Sequence, residues 1–291
     1  MDWPARASAI VAYRRRLVAC PNAWAGLCHD KGYIMLDQPR REPMLNVPAV
    51  VVALLVVLGL VYALFALVLT PEQTTQVLLL FAFIPARYDA SVMPDVVWPG
   101  GLAADIWTFV TYALIHADLS HLVVNGVWLL AFCSPLARRF GSLRFLAFMA
   151  TTAAAGAALH LVTHFGELLP VVGISASISG AMAAVMRFAF QRGGPLAAMR
   201  NRNDDAHSVP AAPLAASLRD PRVLTFLLVW FGVNFVFGLL SIGGAGAGQA
   251  VAWQAHIGGF LAGLVAFAAF DPIPMSAGSD HDDPDRATTI H

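Results

Sequence analysis

Apolar residues in this chain run unbroken over bilayer lengths, separated by polar stretches. Such runs stand at 47–70, 119–137, 143–165, 169–190, 223–241 and 250–270. Each approaches the roughly 20 apolar residues that a membrane-spanning helix needs. The pattern predicts an all-α membrane protein with six transmembrane helices in one domain over 47–270. Between the first two runs, 71–105 is long for a hairpin loop. It leads into 106–115, rich in aromatic residues (Trp107, Phe109, Tyr112), which predicts an interfacial or re-entrant element. Residues 1–46 read as a polar cytoplasmic segment without the apolar core of a signal peptide. Residues 193–221 read as a flexible linker, and 271–291 as an acidic, disordered cytoplasmic tail.

Charge sets the direction of the spans. Of the 18 Lys and Arg residues, all but Arg87 fall before the first run, between runs two and three, around the linker, or in the tail. Positive residues stay on the cytoplasmic side, so six spans imply that both termini are cytoplasmic. With no organelle-type presequence, a bacterial inner membrane is the expected location.

Composition agrees with this reading. Hydrophobic residues are 58% of the chain, charged residues 12%, and the mean hydropathy is +0.67. Soluble domains carry about 25% charged residues. A net charge of zero gives no footprint for nucleic acid. The partners implied are the lipid bilayer and molecules within it. Cys20, Cys28 and Cys133 make no disulfide framework, and Cys20 and Cys28 with His29 lack a fourth metal ligand.

The polar residues inside the runs narrow the chemistry, because such residues are functional hypotheses by default. Between 106 and 190 the only carboxylates are Asp118 and Glu167, both at span edges, and 221–270 holds none. That leaves little for a proton-relay transporter or an aspartyl protease to use. The spans hold His, Asn and Ser instead. His121 and Asn125, spaced i,i+4, share a face of the second span. Ser175, Ser177 and Ser179 open the fourth, in Gly173-Ile-Ser-Ala-Ser-Ile-Ser-Gly180. His256 lies in the sixth, in Ala255-His-Ile-Gly-Gly259. On the expected spans, Ser175 and His256 each lie about six residues in from the outer side, or roughly 9 Å. His121 and Asn125 also fall at the outer end. Small residues at helical spacing (Ala252, Gly259 and Gly263 around His256; Gly173, Gly180 and Ala184 around Ser175) let two helices approach closely.

A serine becomes a nucleophile when a base takes its proton, and His256 is placed to be that base. With no carboxylate at depth, the expected unit is a Ser175–His256 dyad. Asn125, His121 and the backbone N–H of Ser175 are candidate oxyanion donors, each worth about 3–4 kcal/mol of rate. Ser177 and Ser179 are expected to serve helix packing. His160 and His164 share an i,i+4 face but lack the glutamate of H-E-x-x-H. No chelating set is complete, and the chemistry needs neither metal nor cofactor.

These residues resemble the rhomboid intramembrane serine proteases. The resemblance lies in His116-Ala-Asp-Leu-Ser-His121-Leu-Val-Val-Asn125, Gly173-Ile-Ser175 and Ala255-His256-Ile-Gly-Gly259 with Gly263, in the family's order on its spans two, four and six. It implies a six-helix rhomboid-like bundle with an interfacial first loop. It further implies Ser175 as nucleophile, His256 as base, and an oxyanion hole lined by His121 and Asn125. The substrates implied are transmembrane proteins, cut in or near the outer part of their membrane helix. Four positions depart from the family pattern. Ala176 stands where glycine follows the serine, Ser179 where an aromatic residue braces the histidine, Thr108 where arginine follows Trp107, and Ala137 where glutamate ends the second span. The alternative is a catalytically inactive rhomboid-like protein that binds membrane clients.

Overall fold

The computed structural model describes residues 47–196, 204–242 and 252–274. The segment 1–46, with Cys20, Cys28 and His29, lies outside the described residues, as does the tail from 275 onward. From Val47 onward the described residues are mostly helical, with no strand among them.

Helix α1, Ala49–Leu67, buries only Val51 and Leu58, while Val52, Val56, Leu60 and Leu64 are exposed. An apolar helix with most of its surface bare of protein matches a helix bathed in acyl chains, its backbone groups satisfied internally.

The stretch 71–105, expected as a loop, is built instead. Helix α2, Pro71–Phe81, opens on a capping box: Thr70 Oγ1 accepts from the Gln73 backbone N–H, and Gln73 Oε1 accepts from the Thr70 N–H. Proline at the first helical position completes the start. Helix α3, Gly101–Thr111, runs into a 3-10 turn at Tyr112–Leu114, so the aromatic element starts earlier than 106. The two helices are pinned together. Trp107 Nε1 donates to the Leu80 carbonyl at 2.7 Å, and Thr111 Oγ1 to that of Phe81 at 2.8 Å. Arg87 is buried. It reaches the Leu79 and Pro99 carbonyls and pairs with Asp105 at 3.3 Å. The one basic residue on the far side of the charge asymmetry thus holds the first loop together.

Helix α4, Leu119–Phe140, passes through a π-helical turn at Leu129–Cys133. Helix α5 spans Ser142–Thr163 and α6 Ser175–Ala189. Helix α7 spans Pro221–Ile242 and α8 Trp253–Phe270. Among the described residues, α1, α4, α5 and α8 are long and apolar enough to cross a membrane.

The expected fourth span, 169–190, is shorter than its apolar run. Helix α6 has 15 residues, about 22 Å of rise. The residues before it form turns, with Gly166 and Gly173 at positive φ, tied down by a lone antiparallel bridge between Phe83 and Val171. A short helix suffices here because α6 is wrapped by protein: every residue from Ala176 to Ala189 is buried.

Small residues set the centre of the bundle. A Cβ on Gly259 or Gly263 of α8 would strike the Ala176 or Gly180 backbone of α6, so only glycine lets these two helices approach this closely. At the other end of the bundle, Arg139 pairs with Asp271 at 2.8 Å and donates to the His207 and Val209 carbonyls. Asp271, at the head of the expected tail, is therefore fastened to the end of α4. Arg187 of α6, also buried, donates to the Ala212 carbonyl at 2.9 Å and lies over the Phe267 ring.

Candidate active site

Three helices begin at the same place, and each brings one polar group there. Helix α4 starts at Leu119, and its N-cap Asp118 accepts from the His121 N–H at 2.8 Å. One of the two span-edge carboxylates is therefore spent on starting this helix. Helix α6 starts at Ser175 itself. Helix α8 starts at Trp253, which puts His256 in its first turn. Ser175 therefore opens its helix and does not lie about six residues inside it, as the apolar run predicts, because Gly173, at a φ of +111°, delays the start of α6.

Ser175 Oγ and His256 Nε2 are 2.8 Å apart, although 81 residues separate them in the chain. The other ring nitrogen, Nδ1, is 2.8 Å from the Asn234 side-chain oxygen. The Asn234 amide nitrogen in turn donates to the Trp230 carbonyl at 2.8 Å, which fixes which end of the amide faces the histidine. Nδ1 then carries the proton and donates to Asn234, leaving the Nε2 lone pair for the Ser175 hydroxyl. Trp230 stacks on Phe260 of α8 with ring centroids 4.4 Å apart, holding α7 in register with α8.

The sequence predicts a dyad held by packing and by Ser175 and does not single out Asn234, which the structure places against His256. The signal was present: it is the sole amide side chain in the apolar run of α7. What sequence spacing does not reveal is that α7 faces His256. Asn234 thus braces His256 from α7, a bond in which the Ser179 hydroxyl takes no part. Ser179 Oγ donates back to the Ser175 carbonyl at 2.8 Å, and Ser177 Oγ to that of Met149 at 2.8 Å. Both are packing hydroxyls, turned to backbone carbonyls. Ala176 fits because Gly156 of α5 lies opposite, where a Cβ would come within 2.7 Å of the Ala176 methyl.

His121 and Asn125 meet at Gly173, two residues ahead of Ser175. A Cβ on Gly173 would lie 2.7 Å from His121 Nε2 and 3.5 Å from Asn125 Nδ2. The Gly173 N–H donates to the Tyr112 carbonyl at 3.0 Å, and Tyr112 Oη to that of Ala153 at 3.0 Å. The Asn125 side-chain nitrogen is buried without a hydrogen-bond partner. A buried unpaired donor is costly, and here it lies beside Gly173, two residues ahead of Ser175. His116 sits beside His121, ring centroids 5.0 Å apart. Burial, then the neighbouring His121, holds the His116 imidazole down to about 4, so it stays neutral at ordinary pH.

Glu167 stands as an isolated edge carboxylate in the sequence, yet the turn after α5 brings its carboxylate to His160 and His164, the three ligand atoms lying within 4.8 Å of one another. The three residues are a candidate ligand set and share no member with the Ser175–His256 pair.

The chain is thus a helical membrane bundle that sets a serine hydroxyl against a histidine where three helices begin. Residues 103–271, more than half of the chain, match the Rhomboid domain family model. The protein belongs to the rhomboid family and is a multi-pass membrane protein. No curated protein matches the chain.

Proposed function

We propose that this protein is an intramembrane serine endopeptidase that cuts transmembrane protein substrates in or near the outer part of their membrane helix. The observation that carries the reading is the 2.8 Å contact between Ser175 Oγ and His256 Nε2. His256 takes the hydroxyl proton as Ser175 Oγ attacks the scissile carbonyl carbon. The carbonyl oxygen becomes an oxyanion, met by Asn125 Nδ2, His121 and the Ser175 N–H at the start of α6, where the helix dipole favours negative charge. His256 then gives its proton to the departing amine, and water, activated in the same way, releases the acyl group from Ser175. The half-buried Ser175 sits where an unwound substrate segment can reach it. We further propose that α6 and α7 complete six crossings, with the termini cytoplasmic and the site toward the outer face.

The test joins two measurements on the purified protein in detergent. A fluorophosphonate probe should label the wild type at Ser175, and a tagged single-span substrate should be cut. Ser175→Ala should lose both while keeping its fold, since one hydroxyl at a helix start adds little to packing. A wild type that neither labels nor cuts any of a panel of single-span substrates would make the protein a client-binding relative. Cleavage persisting in Ser175→Ala but lost in Ser177→Ala or Ser179→Ala would move the nucleophile.

A further inference from the structure

We propose that His160, His164 and Glu167 form a binding site for a divalent cation of the zinc class, separate from the serine site. His160 and His164 lie one helical turn apart at the end of α5, their rings parallel within 3° and 4.4 Å apart. Past Thr163 the chain leaves the helix but keeps turning. The Glu167 N–H donates to the His164 carbonyl at 3.0 Å, and this returns the carboxylate to the imidazoles, with all three ligand atoms within 4.8 Å. Two imidazoles and a carboxylate are a donor set suited to zinc.

Two further observations point to a ligand. His160 is 5% exposed, and its Nδ1 is buried without a partner, an unmet polar atom on a member of this cluster. His164 is already oriented as a metal ligand is: Nδ1 lies 2.9 Å from Thr163 Oγ1 and donates to it, which leaves the lone pair on Nε2. That nitrogen now takes a contact from the Gln254 amide at 3.3 Å. A turn of this amide would offer oxygen as a fourth ligand. Tetrahedral zinc with bonds of 2.0–2.1 Å holds its ligand atoms roughly 3.4 Å apart, so the three, now within 4.8 Å, must close by at most about 1.4 Å. Rotation of half-exposed His164 and Glu167 supplies that movement.

The placement suggests what the ion does. Glu167 lies in the connection that leads from α5 to Ser175, and its carbonyl accepts from the Ala86 N–H at 2.9 Å. A bound cation would clasp this run to the end of α5 and, through Gln254, to the start of α8. It would brace the site without entering the chemistry.

The experiment is zinc titration of the full chain in detergent after chelator stripping, read by calorimetry and by thermal unfolding. The wild type should bind one more zinc than His164→Gln or Glu167→Gln, and zinc should raise its Tm but not theirs. Loss of one ligand should weaken this site by at least the 10–100-fold that loss of an outer-shell partner costs. His164→Gln and Glu167→Gln alter half-exposed side chains, and apo Tm values equal to that of the wild type would show that their folds are intact. His160→Ala should likewise lose the site. Equal zinc stoichiometry and equal Tm shifts in wild type and variants would overturn the proposal, leaving water as the partner of His160 Nδ1.

Discussion

The chain Ser175–His256–Asn234 makes separable predictions for its members. Ser175→Ala and His256→Ala should each abolish cleavage, and the double variant should be no slower than either, because both serve one step. Asn234 acts through His256. Removing its hydrogen bond, worth about 0.5–1.5 kcal/mol, should lower kcat by about three- to tenfold in Asn234→Ala with KM little changed. Asn234→Asp discriminates orientation from packing. An ionised carboxylate at Nδ1 favours the protonated imidazole, so the base form appears only at higher pH. The acid limb of the kcat profile should therefore move to higher pH, whereas a merely structural role for Asn234 would leave it in place. Across the site, Asn125→Ala and His121→Ala should each slow cleavage about 10²–10³-fold while leaving some fluorophosphonate labelling, since the backbone donor of Ser175 survives. Full activity in the double variant would show that the two residues only pack.

Helix α6 is short for a crossing, and it is surrounded by protein rather than lipid. Its position depends on contacts with α5 and α8 made through backbone rather than long side chains. Gly259 is the tightest of these, since a Cβ there would strike the Ala176 carbonyl, part of the backbone next to Ser175. Gly259→Val should force α8 off α6, at the roughly 1–3 kcal/mol typical of overpacking or more. Its Tm should fall, and fluorophosphonate labelling should fall further than the loss of folded protein accounts for. Unchanged Tm and labelling would mean that the two helices separate freely. The first loop follows a different logic. Arg87 joins α2, α3 and the turn at Pro99 by hydrogen bonds, so α2 and α3 form a braced unit.

For the molecule as a whole, the basic residues and the site make one connected prediction. If 17 of the 18 basic residues lie on the cytoplasmic side, a reporter fused after Phe270 should be active only in its cytoplasmic form. The shared start of α4, α6 and α8 would then face outward, and cleavage would release the outer part of a substrate. Activity of a periplasm-only reporter at that position would invert the site and overturn the outer-leaflet reading of the substrate.

Much of this protein was legible before any coordinates, because a bilayer simplifies the code. Lipid satisfies no backbone group, so long apolar runs become helices, and a lone polar residue within them stands out. His121, Asn125, Ser175 and His256 emerged in this way, and the charge asymmetry followed from the position of each arginine. The rest depended on how the helices meet. That Ser175 begins a helix rather than sitting within one reflects the φ of Gly173, which an apolar run cannot report. That α2 is a helix was written in Thr70, Pro71 and Gln73 but hidden by the length of the loop around it. Asn234 and Glu167 belong to no motif. Their roles arise when α7 turns one face toward His256 and when the chain folds back after Thr163. A sequence pattern specifies which residues leave water, and long-range packing specifies which of them touch.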